Sequence, residues 1–355
     1  MKAIIKRELK NYLRNPILWI GLVIVAVSMY QMLAPYLGIH YFSSDQEVQE
    51  KTVSVITDAD VTEGYLPSTP EQQLAVGKEL LRESLMEEAQ MSGSEIEELM
   101  RGLEGKNVEE CVAYLEQQGI YGARYPFEDA EYHQGSAAEV NQYIEEKLEE
   151  CPYSEYFSRK FADSCSLHIG FFSTVLLAFL FLQDTRKSTY ELLHTKPLTA
   201  MQYLLGKIFG GFLIILMVLA LLNLLFFGLC AAHAHEAGFT AEPWSFLKYT
   251  ALYILPNALM ILCVYTIAAL AFRTPIPAAP LLIIYIIYSN MGSRGPDGYY
   301  GYYGRPLAIM VRFPGRFFET GAPPMAMMNQ IFLLFASAAL IALAAVIWKK
   351  RRIFR

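Results

Sequence analysis

The chain has 355 residues, 54% of them hydrophobic, and a formal charge of −6. It is too apolar for an ordinary soluble domain and long enough for two folding units. It contains no G-x-x-x-x-G-K-S/T phosphate loop, no H-E-x-x-H, no G-x-S-x-G and no paired C-x-x-C, so the common signatures of nucleotide hydrolysis and of membrane-tethered hydrolases are missing.

A basic amphipathic stretch at residues 4–14 opens the chain, followed by Asn15-Pro16 and an apolar run over 17–37. A bilayer core of about 30 Å takes about 20 helical residues to cross, because every backbone polar group must be satisfied within the segment. The run meets that length. It exceeds the core of a secretory signal and lacks a small-residue cleavage site, which predicts an uncleaved anchor.

Residues 38–165 differ in kind. They hold 28 acidic and 9 basic residues, a formal charge of −19, which leaves +13 for the remainder of the chain. Apolar residues at three and four spacing predict helices over 72–91, 94–100, 108–118 and 138–149, and alternation predicts a short strand over 52–57. Ser94 and Glu97 have capping-box spacing, and Gly102, Gly105 and Gly119 read as stops. The charge has two readings, a solvated helical surface or a docking face for a cationic peptide or drug. Cys151 and Cys165 admit either a bridge or free thiols.

Further apolar runs follow at 167–182, 208–232, 246–272, 276–289 and 331–348. The run at 276–289 is short. Lysines and arginines stay on the cytoplasmic side; they cluster before residue 17, between 186 and 207, and after 348. Both termini are therefore expected inside, which requires an even number of crossings and makes 276–289 the fifth of six. Arg294, Arg305, Arg312 and Arg316 then fall on the outer side, against the trend. Asn223 and Asn257 are the notable polar residues inside the spans, as possible pathway residues or helix-to-helix hydrogen bonders, and Pro256 marks a bend. Gly206 and Gly210 have the small-residue spacing of a dimerisation face. His233-Ala234-His235-Glu236 lacks the ligand set of a metal site, and no residue is assigned to catalysis, cofactor or metal. Residues 291–328 pass from a Gly/Tyr-rich turn to an apolar stretch over 307–318. Either re-entrant helices covered by protein or a loose outer loop would accommodate them.

The segment between the second and third spans carries the most information. It reads as a short amphipathic helix ended by Pro197, a turn, and a second helix that starts at the interface and enters the membrane. Asp184, Ser188-Thr189, Glu191, Leu192-Leu193, Pro197 and Gly206-Lys207 resemble the coupling region of permease subunits of type-2 ABC exporters. The N-terminal stretch is similar to that family's interfacial elbow helix, and the large insertion after the first span occurs in several of its subfamilies. The chain departs from the pattern at Arg186, Lys187 and Ser188, where many members have an acidic cluster and a glycine.

The resemblance implies an all-α membrane protein of six transmembrane helices, with a mostly helical extracytoplasmic domain inserted between helices 1 and 2. Its parts are an elbow helix and first span (1–37), the acidic domain (38–165), and helices 2–6 (166–355) with a coupling segment at 184–207 and a possible re-entrant segment at 291–328. Asp184, Thr189, Glu191, Leu192, Pro197, Gly206 and Lys207 are the implied ATPase-coupling residues. The implied partners are a cytoplasmic ABC ATPase carrying the ATP and magnesium, a second permease subunit in a homodimer or heterodimer, and the lipid bilayer. No nucleic acid is expected. The expected location is the cell membrane and the expected role is ATP-driven export. The other reading is a membrane-anchored receptor or scaffold whose acidic outer domain binds a peptide.

Overall fold

The computed structural model describes the chain except residues 52–58, 88–90, 183–198, 273, 292, 295–299, 302–304, 314 and 354–355; for 293–294, 300–301 and 351–353 it describes the backbone alone. The chain divides into two compact units, Met1–Gly38 with Cys151–Arg355, and Ile39–Glu150. It starts with helix α1 (Lys2–Leu13), whose buried and half-buried residues Ile4, Ile5, Glu8 and Tyr12 recur at three and four spacing while Lys6, Arg7 and Lys10 are exposed. Asn15 then caps α2 (Pro16–Leu33), its side chain accepting from Ile17 N at 3.1 Å with Pro16 in the first turn.

The unit Ile39–Glu150 is built from α3 (Asp45–Glu50), β1 (Tyr65–Pro67), α4 (Pro70–Glu87), α5 (Gly93–Gly102), α6 (Val108–Gln117), α7 (Arg124–Asp129), β2 (Tyr132–Gln134) and α8 (Ala137–Glu150). The strands pair antiparallel, Tyr65 opposite Gln134. Leu81, Leu85, Ile96, Leu103, Cys111, Leu115 and Phe127 form its core. The four helices expected here are present as α4, α5, α6 and α8. The capping box of α5 is set by Ser92 and Glu95 and not by Ser94 and Glu97. Hydrogen bonds from the cap serines hold Glu95 and Glu139 below the ordinary carboxylate range. The strand expected at 52–57 lies outside the described residues.

The other unit resumes with α9 (Tyr153–Leu176) and α10 (Ala178–Leu182), then α11 (Ala200–Glu236), α12 (Pro243–Tyr249), a π-helical turn (Thr250–Ile254), α13 (Leu255–Phe272), α14 (Ala278–Asn290), the two-residue strands β3 (Ser293–Arg294) and β4 (Tyr300–Gly301), and α15 (Ala326–Ile353). Among the described residues five helices are long and apolar enough to cross a membrane: Pro16–Tyr36, Tyr153–Leu182, Ala200–Glu236, Pro243–Phe272 and Ala326–Lys350; the shorter Ala278–Asn290 is apolar as well. The second and fourth are the centre of the bundle, 61% and 72% of their most apolar stretch being buried against 22% in the first. All five cysteines are free thiols, so Cys151 and Cys165 are not bridged.

Residues 305–325 form no helix among those described, and yet much of the segment is buried. Ile309, Met310, Val311, Phe313, Phe317 and Phe318 are buried. Arg312 donates to both oxygens of Asp163, at 2.7 and 3.0 Å, and to Asn290 Oδ1 at 2.9 Å. Phe313 N donates to Asp163 at 2.8 Å and Lys160 to Gly315 O at 2.8 Å. Gly315 turns the chain at φ 99°, where a Cβ would also lie 3.0 Å from Glu319 O. These side-chain bonds supply what a helix would otherwise satisfy internally. Nearby, Lys248 and the Tyr249 hydroxyl donate to Glu155 at 2.9 and 2.7 Å, and Arg159 donates to the Tyr249 oxygen at 2.9 Å.

Candidate functional site

The candidate site is the junction where α1, the end of α10 and the start of α11 meet. Thr199 caps α11 in a reciprocal box with Gln202, which fixes where that helix begins. One turn further in, the glycines allow α1 to lie directly against it. A Cβ on Gly206 would stand 3.0 Å from Ile4 Cβ, and one on Gly210 would stand 2.8 Å from Glu8 Cβ. The spacing expected to mark a dimer face is therefore used within one chain, by the amphipathic N-terminal helix.

That close approach brings Glu8 to Lys207. Lys207 Nζ donates to Glu8 Oε1 at 2.8 Å and to Leu180 O at 2.8 Å, and lies 5.6 Å from the centre of the Phe181 ring. The two side chains are 3% and 5% exposed, so the pair is shut away from water. Leu180 lies in the last described turn of α10, so the ammonium links the base of α11 to that helix as well as to α1. A buried charge persists only when paired and hydrogen-bonded. Both conditions hold at Lys207. Beside it Tyr12 is buried, and burial first and Glu8 second raise its hydroxyl well above the ordinary phenol value, keeping it neutral.

The opposite side of the α11 base is also packed. Tyr203 stacks on Trp348 with centroids 4.3 Å apart, and Ala200, Leu204, Leu270, Ala344 and Ala345 close around them. The start of α11 is thus held between α1 on one side and the ends of α13 and α15 on the other.

Of the residues singled out from sequence, Gly206 and Lys207 meet in this junction, while Asp184, Thr189, Glu191, Leu192 and Pro197 lie outside the described residues. Lys207 points into protein and is not presented to solution. Asn223 Nδ2 donates to Leu219 O at 2.8 Å and its Oδ1 accepts from Thr250 at 3.1 Å, which ties α11 to the π turn. Asn257 is buried and donates to Tyr253 O at 2.5 Å. His233 stands 3.6 Å from Glu236 on the last turn of α11. Sequence reasoning missed Glu8, although it is the single acidic residue of the first 44 and interrupts a basic stretch. It also missed the Asp163–Arg312 and Glu155–Lys248 pairs, for which spacing carried no signal.

A bundle of long apolar helices, fronted by a basic amphipathic helix seated on the Gly-Lys head of the longest of them, defines a polytopic membrane protein of permease type. The ABC-2 family transporter proteins match residues 2–295, and the chain belongs to that family, whose members are membrane components of ABC transporters. No curated protein and no solved structure matches the chain. The family match spans α1, the Gly206-Lys207 junction and the acidic unit alike.

Proposed function

We propose that the chain is the membrane-spanning subunit of an ATP-driven exporter, paired in the membrane with a second permease subunit, each docked on a separate cytoplasmic ATPase. Family membership supports the permease role. The observation that carries the coupling role is the Lys207 junction, because it ties the helices on either side of 183–198, through Leu180 and Lys207, to each other and to α1. A push on the segment Asp184–Pro197 would then be delivered to two spans and the interfacial helix together, as rigid-body switching requires. ATP and magnesium belong to the ATPase in this reading, and this chain contributes no catalytic group.

The topology that goes with it has six crossings, both termini cytoplasmic and the unit 39–150 outside, supported by the distribution of lysine and arginine. Glu191→Lys is the test of coupling. Co-purification with the ATPase and transport should both fall at least about tenfold, the equivalent of one lost charged contact of about 1.4 kcal/mol. Unchanged co-purification and unchanged transport together would remove this segment from the mechanism.

A further inference from the structure

A groove of about 790 Å³ opens between the second half of α11 and the α12–π-turn–α13 segment. The π turn, a form that recurs at functional sites, shapes one wall, and the small residues Ala220 and Ala251 leave the volume open. The polar groups in the middle of its walls are spent. Asn223 and Thr250 are buried and bond each other, and the Asn223 amide also bonds Leu219 O. What remains is hydrocarbon, so the inserted part of an occupant must be hydrocarbon too.

One end of the groove differs. Lys248 is the single charged residue among those described that line it, with its side chain half exposed, and Trp244, 74% exposed, stands beside it. Lys248 shares the carboxylate of Glu155 with Arg159, and half of its side chain stays open to the groove. An apolar trough ending in an indole and a half-exposed lysine is complementary to a hydrocarbon tail with an anionic head. Within a bilayer an apolar groove gains nothing from the hydrophobic effect, so a resident lipid is chosen by packing and by head-group charge. A second permease copy seated here would have to take the Lys248–Glu155 pair out of water, at a cost that a lipid head group, itself hydrated, avoids.

We propose that this groove binds an anionic phospholipid of the surrounding bilayer, with an acyl chain along Ala220 and Ala251 and the phosphate at Lys248. The site depends on the protein being membrane-integral and not on the direction of transport or on the ATPase, so loss of coupling in Glu191→Lys would leave it unaffected.

The test uses the whole permease in phosphatidylcholine nanodiscs carrying a small fraction of phosphatidylglycerol with a photoactivated diazirine on its acyl chain. Labelled peptides are mapped by mass spectrometry. Labelling of the groove walls should exceed that of the bare α2 face at Ile20, Val23 and Ile24 by about fivefold, the factor a single lysine near a charged head group supplies. Ala220→Phe with Ala251→Phe should bring the groove down to the α2 level, the α2 signal itself serving as the control for folding. Lys248→Gln should remove the preference for the phosphatidylglycerol probe over the same diazirine on phosphatidylcholine. Equal labelling of groove and α2, labelling that survives filling of the groove, a preference that survives Lys248→Gln, or cross-links from the groove to a second permease copy would each overturn the proposal.

Discussion

At the scale of single residues, the informative pair is Glu8 and Lys207. Removing one partner leaves the other as an uncompensated buried charge, which costs about 3–5 kcal/mol, whereas replacing both with neutral groups of similar shape is often close to neutral. Lys207→Met and Glu8→Gln should therefore each lower the thermal midpoint in detergent strongly, and the double variant should recover most of the loss. A double-mutant cycle giving additive losses would mean that the two side chains do not depend on each other. Lys207 was legible in the sequence because Gly-Lys heads a span. Its role was not legible, since a lysine beside a cytoplasmic segment is equally well placed to retain positive charge inside. Only the 199-residue contact with Glu8 distinguishes the two readings. Asn223 shows the same limit: a polar residue in a span reads equally as a pathway candidate or a helix-to-helix hydrogen bonder, and its bond from Thr250 carries no signal in the spacing.

At the scale of elements, periodicity and length located the five long helices and the four main helices of the acidic unit. The failures came where a tertiary partner decides between equivalent local signals. Ser92 and Ser94 are each followed three residues later by glutamate, so spacing cannot choose the cap. The π turn before Pro256 is invisible to a pattern built on 3.6 residues per turn. The segment 305–325 buries its apolar residues without helical period, because Asp163, Lys160 and Ser289 on neighbouring helices take up its backbone groups and Arg312. Arg312→Ala should release it. With the charged hydrogen bonds to Asp163 gone, at about 2 kcal/mol, trypsin should cut after Arg316 tens of times faster while the secondary structure of the long helices is unchanged. Equal cleavage rates in the two proteins would show that the apolar contacts alone hold this segment.

At the scale of the whole molecule, the separation of charge into −19 over residues 38–165 and +13 elsewhere is the fact from which topology is argued. The proposed six crossings turn on the short α14. Its 13 residues span about 20 Å, less than the roughly 30 Å of a bilayer core. Non-helical backbone at membrane depth is tolerated only under protein cover. Described residues beyond α14 have such partners: the Tyr285 hydroxyl donates to Leu307 O, and Ile309 N donates to Ser289 Oγ at 3.0 Å. In the proposed six-crossing topology a short helix completed by a covered loop would serve as the fifth crossing and return the basic end of α15 to the side of α1. Single cysteines placed at exposed Glu98 and at Lys349 in a chain without its own five thiols separate the alternatives. An impermeant maleimide applied to intact cells should label the first and reach the second only after permeabilisation. Labelling of the Lys349 position from outside would leave five crossings, put Arg305, Arg312 and Arg316 on the cytoplasmic side, and invert the even count on which the six-helix reading depends.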